Sequence, residues 1–391
     1  MTLRTYQKCI PISCEINGTV EKNLKAYKLQ KMMSSEGHIV AKKEVDEFIK
    51  NCCEAIGIQA EHSSVLADVL VSADYRGHYS HGIKNIDVYL NDVRNKVTAV
   101  AGIPEIVKQS ASTALVDGNN LLGPVVGRFC MDLAIEEAKS TGIGWVSARE
   151  SNHFGMAAWY GLRAVNHGLV GMAFTNTGSS MAPSRARQNA LGTNPICVAA
   201  PGNDGDCFVL DMATTTVAFG KIALAQMKGK PIPEGWAVDK DGKDTVDPAE
   251  MYGILPLGGR ENTCSVTFTA GYKGYGLAVM VEMFCSMLSD SVCGYKMAQG
   301  IHESCSMSHC FVALNPEMFE DGFQDRLSDL MNFCRNLDPA DGESEVLAPG
   351  DPERKHMEIC DKQGGILYHP SQIKAANETA ARLGVKPLTT V

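Results

Sequence analysis

Gly102-Ile103-Pro104 divides this chain at a change of hydrophobic period. Before it, apolar residues recur at the three- and four-residue steps of a buried helix face. Val65, Leu66, Val69, Leu70 and Ala73 form one such stripe, and Ile83, Ile86, Leu90 and Val93 form the next. Residues 38–98 thus predict three helices, around 42–56, 63–74 and 83–93. After the break, short strand-like runs such as Trp145-Val-Ser-Ala-Arg, 169–174, 196–200 and Cys207-Phe-Val-Leu alternate with helical stretches. Gly123-Pro124 and Gly271-Tyr-Lys-Gly-Tyr-Gly each open a helix, and 370–383 predicts an amphipathic helix that packs back on the first part. One change of period predicts a mixed α/β fold, with a helical N-terminal part and a β-rich remainder. Residues 1–36 show no clear period and read as an extension.

Composition narrows the function classes. With 391 residues, 45% hydrophobic and 21% charged, the chain has enough apolar material for a large core. The net charge is -9 and no lysine or arginine block is present, which argues against a nucleic-acid or anionic-membrane footprint. No apolar run approaches the roughly 20 residues of a membrane span. The first residues lack the apolar core of a signal peptide. An excess of basic residues up to Lys31 leaves a mitochondrial leader open, although Glu15, Glu21 and the scarcity of serine argue against one. The 14 cysteines, scattered through predicted elements, read as reduced thiols of a cytoplasmic protein. His302, Cys305, His309 and Cys310 cluster at a spacing that fits no common zinc site, so no metal is expected.

The chemistry-bearing candidates begin at a break between two predicted helices, Arg76-Gly-His-Tyr-Ser-His-Gly. Ser80 stands where an N-cap belongs, which puts His81 in the first helical turn. There the helix dipole disfavours an imidazolium, and a neutral imidazole suits proton transfer. Asn85 and Tyr89 follow at steps of four, on the same face. A second histidine, His153, lies just past a strand with Gly155 allowing close approach. A capped helix with a half-exposed histidine, and a turn histidine bonded to backbone, are the plain alternatives.

No Gly-x-Gly-x-x-Gly follows a strand, so a dinucleotide site of the Rossmann kind is not expected. Strand ends do stop in small polar residues: Thr175-Asn-Thr-Gly-Ser, Gly192-Thr-Asn-Pro and Asp211-Met-Ala-Thr. Such ends expose amides and short side chains that suit a phosphate or ribose. The amides and Lys273 of Gly271-Tyr-Lys-Gly-Tyr-Gly add to them.

Ser80-His-Gly, Asn152-His-Phe-Gly, Leu191-Gly-Thr-Asn-Pro, Asp211-Met-Ala-Thr, Ile232-Pro-Glu-Gly-Trp-Ala, Leu255-Pro-Leu-Gly-Gly and Gly271-Tyr-Lys-Gly-Tyr-Gly-Leu occur in this order. Together they resemble the malate/L-lactate dehydrogenase-like, type II family, which also holds ureidoglycolate dehydrogenase and 2,3-diketogulonate reductase. The likeness runs from about residue 38 to the C-terminus.

The resemblance implies a non-Rossmann fold and hydride transfer between NAD or NADP and a small 2-hydroxy or 2-oxo acid, malate- or lactate-like. It implies a homodimer with the cofactor near the subunit interface, and neither nucleic acid nor membrane as partner. On this reading residues 37–105, joined by 338–391, form a substrate-site domain, and 106–337 a cofactor-binding domain. His81 and His153 are then the acid–base pair, with His153 the base when substrate is oxidised. Ser80, Asn85, Tyr89 and Thr193 would line the substrate site. Asn176, Thr177, Asp211, Met212, Ala213, Thr214, Lys273, Gly274, Tyr275 and Gly276 would hold the cofactor.

This chain departs from the family pattern in three places. Asn85 stands where the family usually has an arginine that clamps the substrate carboxylate, with Lys84 beside it on a different face. Loss of a charge-assisted bond of about 1.5–3 kcal/mol weakens such binding roughly ten- to a hundredfold. Arg260 to Ala270 lengthens the link before Gly271, and Ser184-Arg-Ala-Arg replaces a glycine-rich turn. Imino- or ureido-acid chemistry on the same relay, and a weakened nucleotide-binding dimer acting as an interaction protein, are therefore the alternatives.

Overall fold

The computed structural model describes residues 37–227, 229–260, 270–299 and 306–390. The expected extension 1–36, most of the lengthened link before Gly271, and His302 and Cys305 lie outside the described residues.

The first elements of the described residues are a short strand, β1 (His38–Val40), and two helices, α1 (Lys42–Glu54) and α2 (Ala60–Tyr75). The next helix begins later than its apolar stripe suggests. A 3-10 turn over Ile83–Asn85 comes first, and α3 runs Ile86–Arg94. Gly82 precedes that turn, and no side chain caps either start. Ser80 is therefore not an N-cap, and His81 is not in a first helical turn. The Ser80 hydroxyl is engaged by the neighbouring imidazole instead.

Beyond Gly102 the strands β2 (Glu105–Gln109), β3 (Thr113–Asp117), β4 (Ile143–Ser151), β5 (Val170–Thr175), β6 (Ile196–Pro201) and β7 (Cys207–Met212) are interleaved with helices α4 (Gly123–Thr141) and α5 (Ala157–Val165). Helix α6 (Phe219–Met227) leads to three short strands, β8 (Ala237–Val238), β9 (Asp244–Thr245) and β10 (Gly253–Ile254). Helix α7 (Gly271–Glu282) passes into a π turn at Met283–Met287, followed by α8 (Gly294–Ala298) and β11 (Met307–Leu314). Helices α9 (Phe323–Arg335) and α10 (Asp351–Gln363), strand β12 (Ile366–Tyr368) and helix α11 (Pro370–Leu383) complete the chain.

Among the described residues seven strands form the main sheet in the order β2-β3-β4-β11-β5-β6-β7, and of their pairings only β3–β4 is parallel. The late strand β11 is central, with Phe311 paired to both Val146 and Ala173. Its side chains alternate as a two-sided strand requires. Phe311 and Ala313 join the core under α4 and α5. Cys310 and Val312 face the opposite cluster with Val281 and Cys285 of α7 and its π turn. Buried on both faces, the strand reads in sequence as a continuous apolar run.

A separate cluster holds α1, α2 and α3 together, and residues far down the chain close it. Cys360, Ile366, Tyr368, Ile373 and Ala380 pack against Val45, Ile49, Leu66 and Leu90. Strand β12 pairs antiparallel with β1, His38 opposite Tyr368. Neither three-residue strand is long enough to show a period, which is why both escape sequence inspection.

Glycine sets how closely α4 lies on the sheet. A Cβ at Gly144 would lie 2.0 Å from the Ala134 carbonyl oxygen. Both sides of that contact are backbone, so neither can yield. Gly144→Ala is expected to lower stability by about 1–3 kcal/mol, read from the urea midpoint.

Candidate active site

Two histidines meet where the helical cluster abuts the end of β4. His81 sits in a tight turn after α2. Its amide donates to the His78 carbonyl at 2.8 Å, and Asn85 Nδ2 donates to the Ser80 carbonyl at 2.8 Å. Ser80 Oγ lies 2.9 Å from His81 Nδ1. Asn85, expected at the substrate, thus has its amide nitrogen occupied in bracing the turn, and Lys84 beside it is exposed.

His153 follows β4. Asn152 anchors the segment by donating to the Leu121 carbonyl at 3.1 Å. Gly155 then takes φ +82°, and a Cβ there would sit 2.3 Å from Val69 Cγ1 of α2. Glycine is required on both counts. That close approach lets Tyr89 of α3 reach His153, with its hydroxyl 2.7 Å from Nδ1. The Gly155 amide lies 3.3 Å from the same nitrogen. With Nδ1 pinned from two sides, Nε2 is the ring nitrogen left for chemistry.

The His81 and His153 rings stack, with centroids 6.1 Å apart and planes 17° off parallel. Burial, with the neighbouring His78 adding to it, lowers His81 to about 4. Burial, with His81 adding to it, lowers His153 to about 4. The neutral state expected from a helix dipole is thus favoured by desolvation and imidazole–imidazole repulsion. No carboxylate is hydrogen-bonded to either ring among the described residues.

A third histidine lies beneath. His309 stacks on Phe154 at 4.8 Å, and its two ring nitrogens meet Thr175 Oγ1 and Ser151 Oγ, each at 2.8 Å. Both nitrogens are satisfied, so His309 is a structural member of the sheet. Among the described residues no group of three His, Cys, Asp or Glu is arranged to hold a metal ion.

The polar strand ends converge on one ledge. The Thr193 amide donates to Thr177 Oγ1 at 2.8 Å, and the Thr214 amide to the Thr193 carbonyl at 2.9 Å. The Leu257 amide donates to the Thr214 carbonyl at 2.9 Å, and the Gly274 amide to the Leu257 carbonyl at 3.1 Å. Segments around 177, 193, 214 and 274 are thereby stitched together. Tyr275 packs against Met181 and Leu191, and Lys273 is exposed. Asp211 turns elsewhere: its Oδ2 accepts from the Ala158 amide at 2.7 Å, at the start of α5. Met212 and Ala213 are half-buried between the two.

Below the ledge lies a residue that sequence inspection missed. Glu282, 2% exposed, accepts from Asn194 Nδ2 at 3.1 Å and Ser286 Oγ at 2.6 Å, and Asn176 Nδ2 lies 3.4 Å away. Asn176 and Asn194 are thus fixed from beneath, and Asn194 Oδ1 accepts the Thr177 amide at 3.1 Å. Glu282 ends the apolar helix that the Gly271 motif opens, but it lies past the motif itself, so the motif does not mark it.

The donor set suits a polar ligand. Ser179 Oγ is buried with no partner. Gly178 beside it and Gly276 on α7 have nothing within 4 Å of where a Cβ would stand, so a ligand can approach their backbone. The ledge also reaches the histidines. From Thr214 the chain runs to α6, where a Cβ at Gly220 would lie 3.3 Å from Ser80 Cβ.

Residues 40–375 match the model of a family described as malate/L-lactate dehydrogenase. The chain belongs to that family. The L-sulfolactate dehydrogenase of Methanocaldococcus jannaschii is 40% identical over 318 residues, 79% of this chain and 88% of that relative. A malate dehydrogenase of Pyrococcus abyssi is 34% identical over 354 residues, 89% of this chain and 96% of that one. Among solved structures, the malate dehydrogenase of Entamoeba histolytica superposes with a TM-score of 0.84 at 28% identity, over 90% of this chain and 99% of that one. The mixed α/β, non-Rossmann architecture and membership of a dehydrogenase family, both expected from the motif order, hold.

The lowered histidines have a pH signature. In the unfolded chain imidazoles take up protons near the ordinary 6.5, whereas here they resist until about 4. The folded state therefore binds fewer protons in that window, and its stability falls as pH drops from about 6.5 towards 4. In an NMR titration, the ring signals lost in His81→Gln and His153→Gln variants should move only below about pH 5 in the intact protein.

Proposed function

We propose that this protein is an NAD(P)-dependent oxidoreductase that moves a hydride between nicotinamide and a small 2-hydroxy or 2-oxo acid of the malate or lactate kind. The observation that carries this reading is the stacked His81–His153 pair beside the ledge of strand ends. The bound nicotinamide would supply hydride exchange at the substrate carbon.

The chain's own residues handle the proton. When a 2-hydroxy acid is oxidised, His153 in the tautomer whose Nδ1–H donates to the Tyr89 hydroxyl accepts the hydroxyl proton at Nε2, and in reduction it returns that proton to the carbonyl oxygen; the 3.3 Å contact of the Gly155 amide, which needs the lone pair of Nδ1, is given up in that tautomer. Tyr89 suits both protonation states, because a hydroxyl can donate to Nδ1 or accept from it. His81, steadied by Ser80, binds the reacting oxygen from the stacked side. Thr177 and Thr214, with the Lys273 to Gly276 segment of α7, are proposed to hold the cofactor, Thr193 is proposed to line the substrate site beside them, and Ser179 would gain a partner for its hydroxyl. Asn176 supports them from below, and Asp211, Met212 and Ala213 join the ledge to α5. Lys273 offers an exposed charge for a phosphate.

Family likeness also supports a homodimer. Tyr272, Val279, Met283 and Met287 give α7 and its π turn an exposed apolar stripe that a second copy would cover. No helix among the described residues is long and apolar enough to cross a membrane. A cytoplasmic location is proposed from cysteine usage; ten described cysteines are free.

One observation favours a second reading. Asn85 braces the Ser80 carbonyl where a carboxylate clamp is usual. A substrate shifted to an imino or ureido acid, or a site weakened to nucleotide binding within an interaction protein, would follow. Asn85→Arg separates them: a large gain with 2-oxo acids marks a weakened site, and no gain marks a shifted substrate.

The primary test is NADH and NADPH consumption with a panel of 2-oxo acids. His153→Ala and His81→Ala are each expected to cut turnover by about a hundredfold or more with circular dichroism unchanged. Near-wild-type rates in both variants would exclude the relay.

A further inference from the structure

Asp74, near the end of α2, is fully buried and has no part in the chemistry described so far. Its Oδ2 accepts two hydrogen bonds, from the Ile83 amide at 2.9 Å and from the Tyr368 hydroxyl at 2.7 Å. Its Oδ1 has no partner. A Cβ at Gly82 would lie 1.7 Å from that oxygen, so only glycine lets the turn pass. The residue next to Gly82 is His81. The carboxylate therefore grips the chain on the far side of the imidazole from Ser80, and the strand that closes the helical cluster supplies the second bond.

We propose that Asp74 is a positioning residue: its carboxylate, held by Tyr368, fixes the turn at Gly82–Ile83 and so sets His81 against His153. The proposal rests on the reading of His81 as part of the proton relay. A neutral acid accepts hydrogen bonds more weakly than a carboxylate, so the grip depends on ionisation.

The groups facing Asp74 are few. Tyr368 comes from β12 and Tyr79 from the turn. Cys360 comes from α10, with His356 beside it, 3.1 Å from the Tyr79 hydroxyl. Burial, opposed by the Ile83 and Tyr368 bonds, raises the carboxyl to about 7. His81 and His153 stay neutral down to about 4. An acid limb in kcat near pH 7 therefore belongs to Asp74 and not to the imidazoles.

Stability moves the other way. A carboxyl whose folded value exceeds its unfolded 3.8 binds more protons when folded. Its contribution is full below about 3.8 and is lost as pH rises through about 7. Ionised Asp74 thus loosens the fold while ordering the turn. A residue that merely supports the fold would lose stability and activity together when replaced.

Asp74→Asn keeps the shape and cannot ionise. Expected are a kcat about ten- to a hundredfold lower at pH 8, an unchanged cofactor KM, a Tm at pH 8 no lower than wild type, and loss of the limb near pH 7. Tyr368→Phe removes one bond that holds the carboxyl down, so its limb should move to higher pH. Hydrogen exchange at the Ile83 amide reads the same grip without substrate. It should be faster in Asp74→Asn than in wild type at pH 8, and alike in both at pH 5. A variant with wild-type kcat, limb and exchange would overturn the proposal, as would parallel loss of Tm and activity. If wild type turns over no acid in the panel, the functional reading fails while the exchange comparison still decides the role of Asp74.

Discussion

The 2.7 Å hydrogen bond between Tyr89 and His153 joins two bodies of packing that each carry one member of the stacked histidine pair. Tyr89 belongs to the cluster of α1, α2 and α3, and His153 to the segment leaving β4. The contact of Gly155 with Val69 decides how near those bodies come, and the hydrogen bond decides how the ring is turned. A neutral imidazole with one nitrogen pinned and one free is the chemical outcome. Each histidine lies in a short segment that hydrogen bonds brace, which holds the distance that proton transfer demands.

Two buried carboxylates repeat one structural idea on either side of this junction. Asp74 gathers the His81 turn and Glu282 gathers the ledge, each by accepting from one nearby and one remote partner: Ile83 and Tyr368, and Ser286 and Asn194. A charge-assisted hydrogen bond contributes about 1.5–3 kcal/mol, enough to hold a loop but not to offset a buried charge alone. The π turn begins at the residue after Glu282, and local distortions of this kind gather where a helix serves a site.

Much of the fold was legible because apolar period is a local property. Stripes such as Val65, Leu66, Val69 and Leu70 revealed α2, and polar strand ends revealed Thr177 and Thr214. Where the geometry departs from the sequence reading, the departures share a cause. Ser80 resembles an N-cap, yet its hydroxyl bonds to the adjacent imidazole, a choice that spacing does not encode. Asn85 stands at the family's clamp position, but its amide nitrogen turns back to the Ser80 carbonyl. Asp211 lies within β7, one residue before its end, and its side chain accepts from the Ala158 amide. Strand β2, exposed along its length, and strands β1 and β12 had no stripe to show. Asp74 and Glu282 were invisible because each has a partner that arrives from a distant segment.

The pairing of β12 with β1, and the bond from Tyr368 to Asp74 across 294 residues, set an order of events in biosynthesis. The turn bearing His81 leaves the ribosome long before Tyr368, and it lacks its second anchor until that residue has been made. Contacts of such long range form late and slowly. A nascent chain that stops short of β12 would carry both histidines without the geometry that makes them a pair, so competence is withheld until that strand has been added.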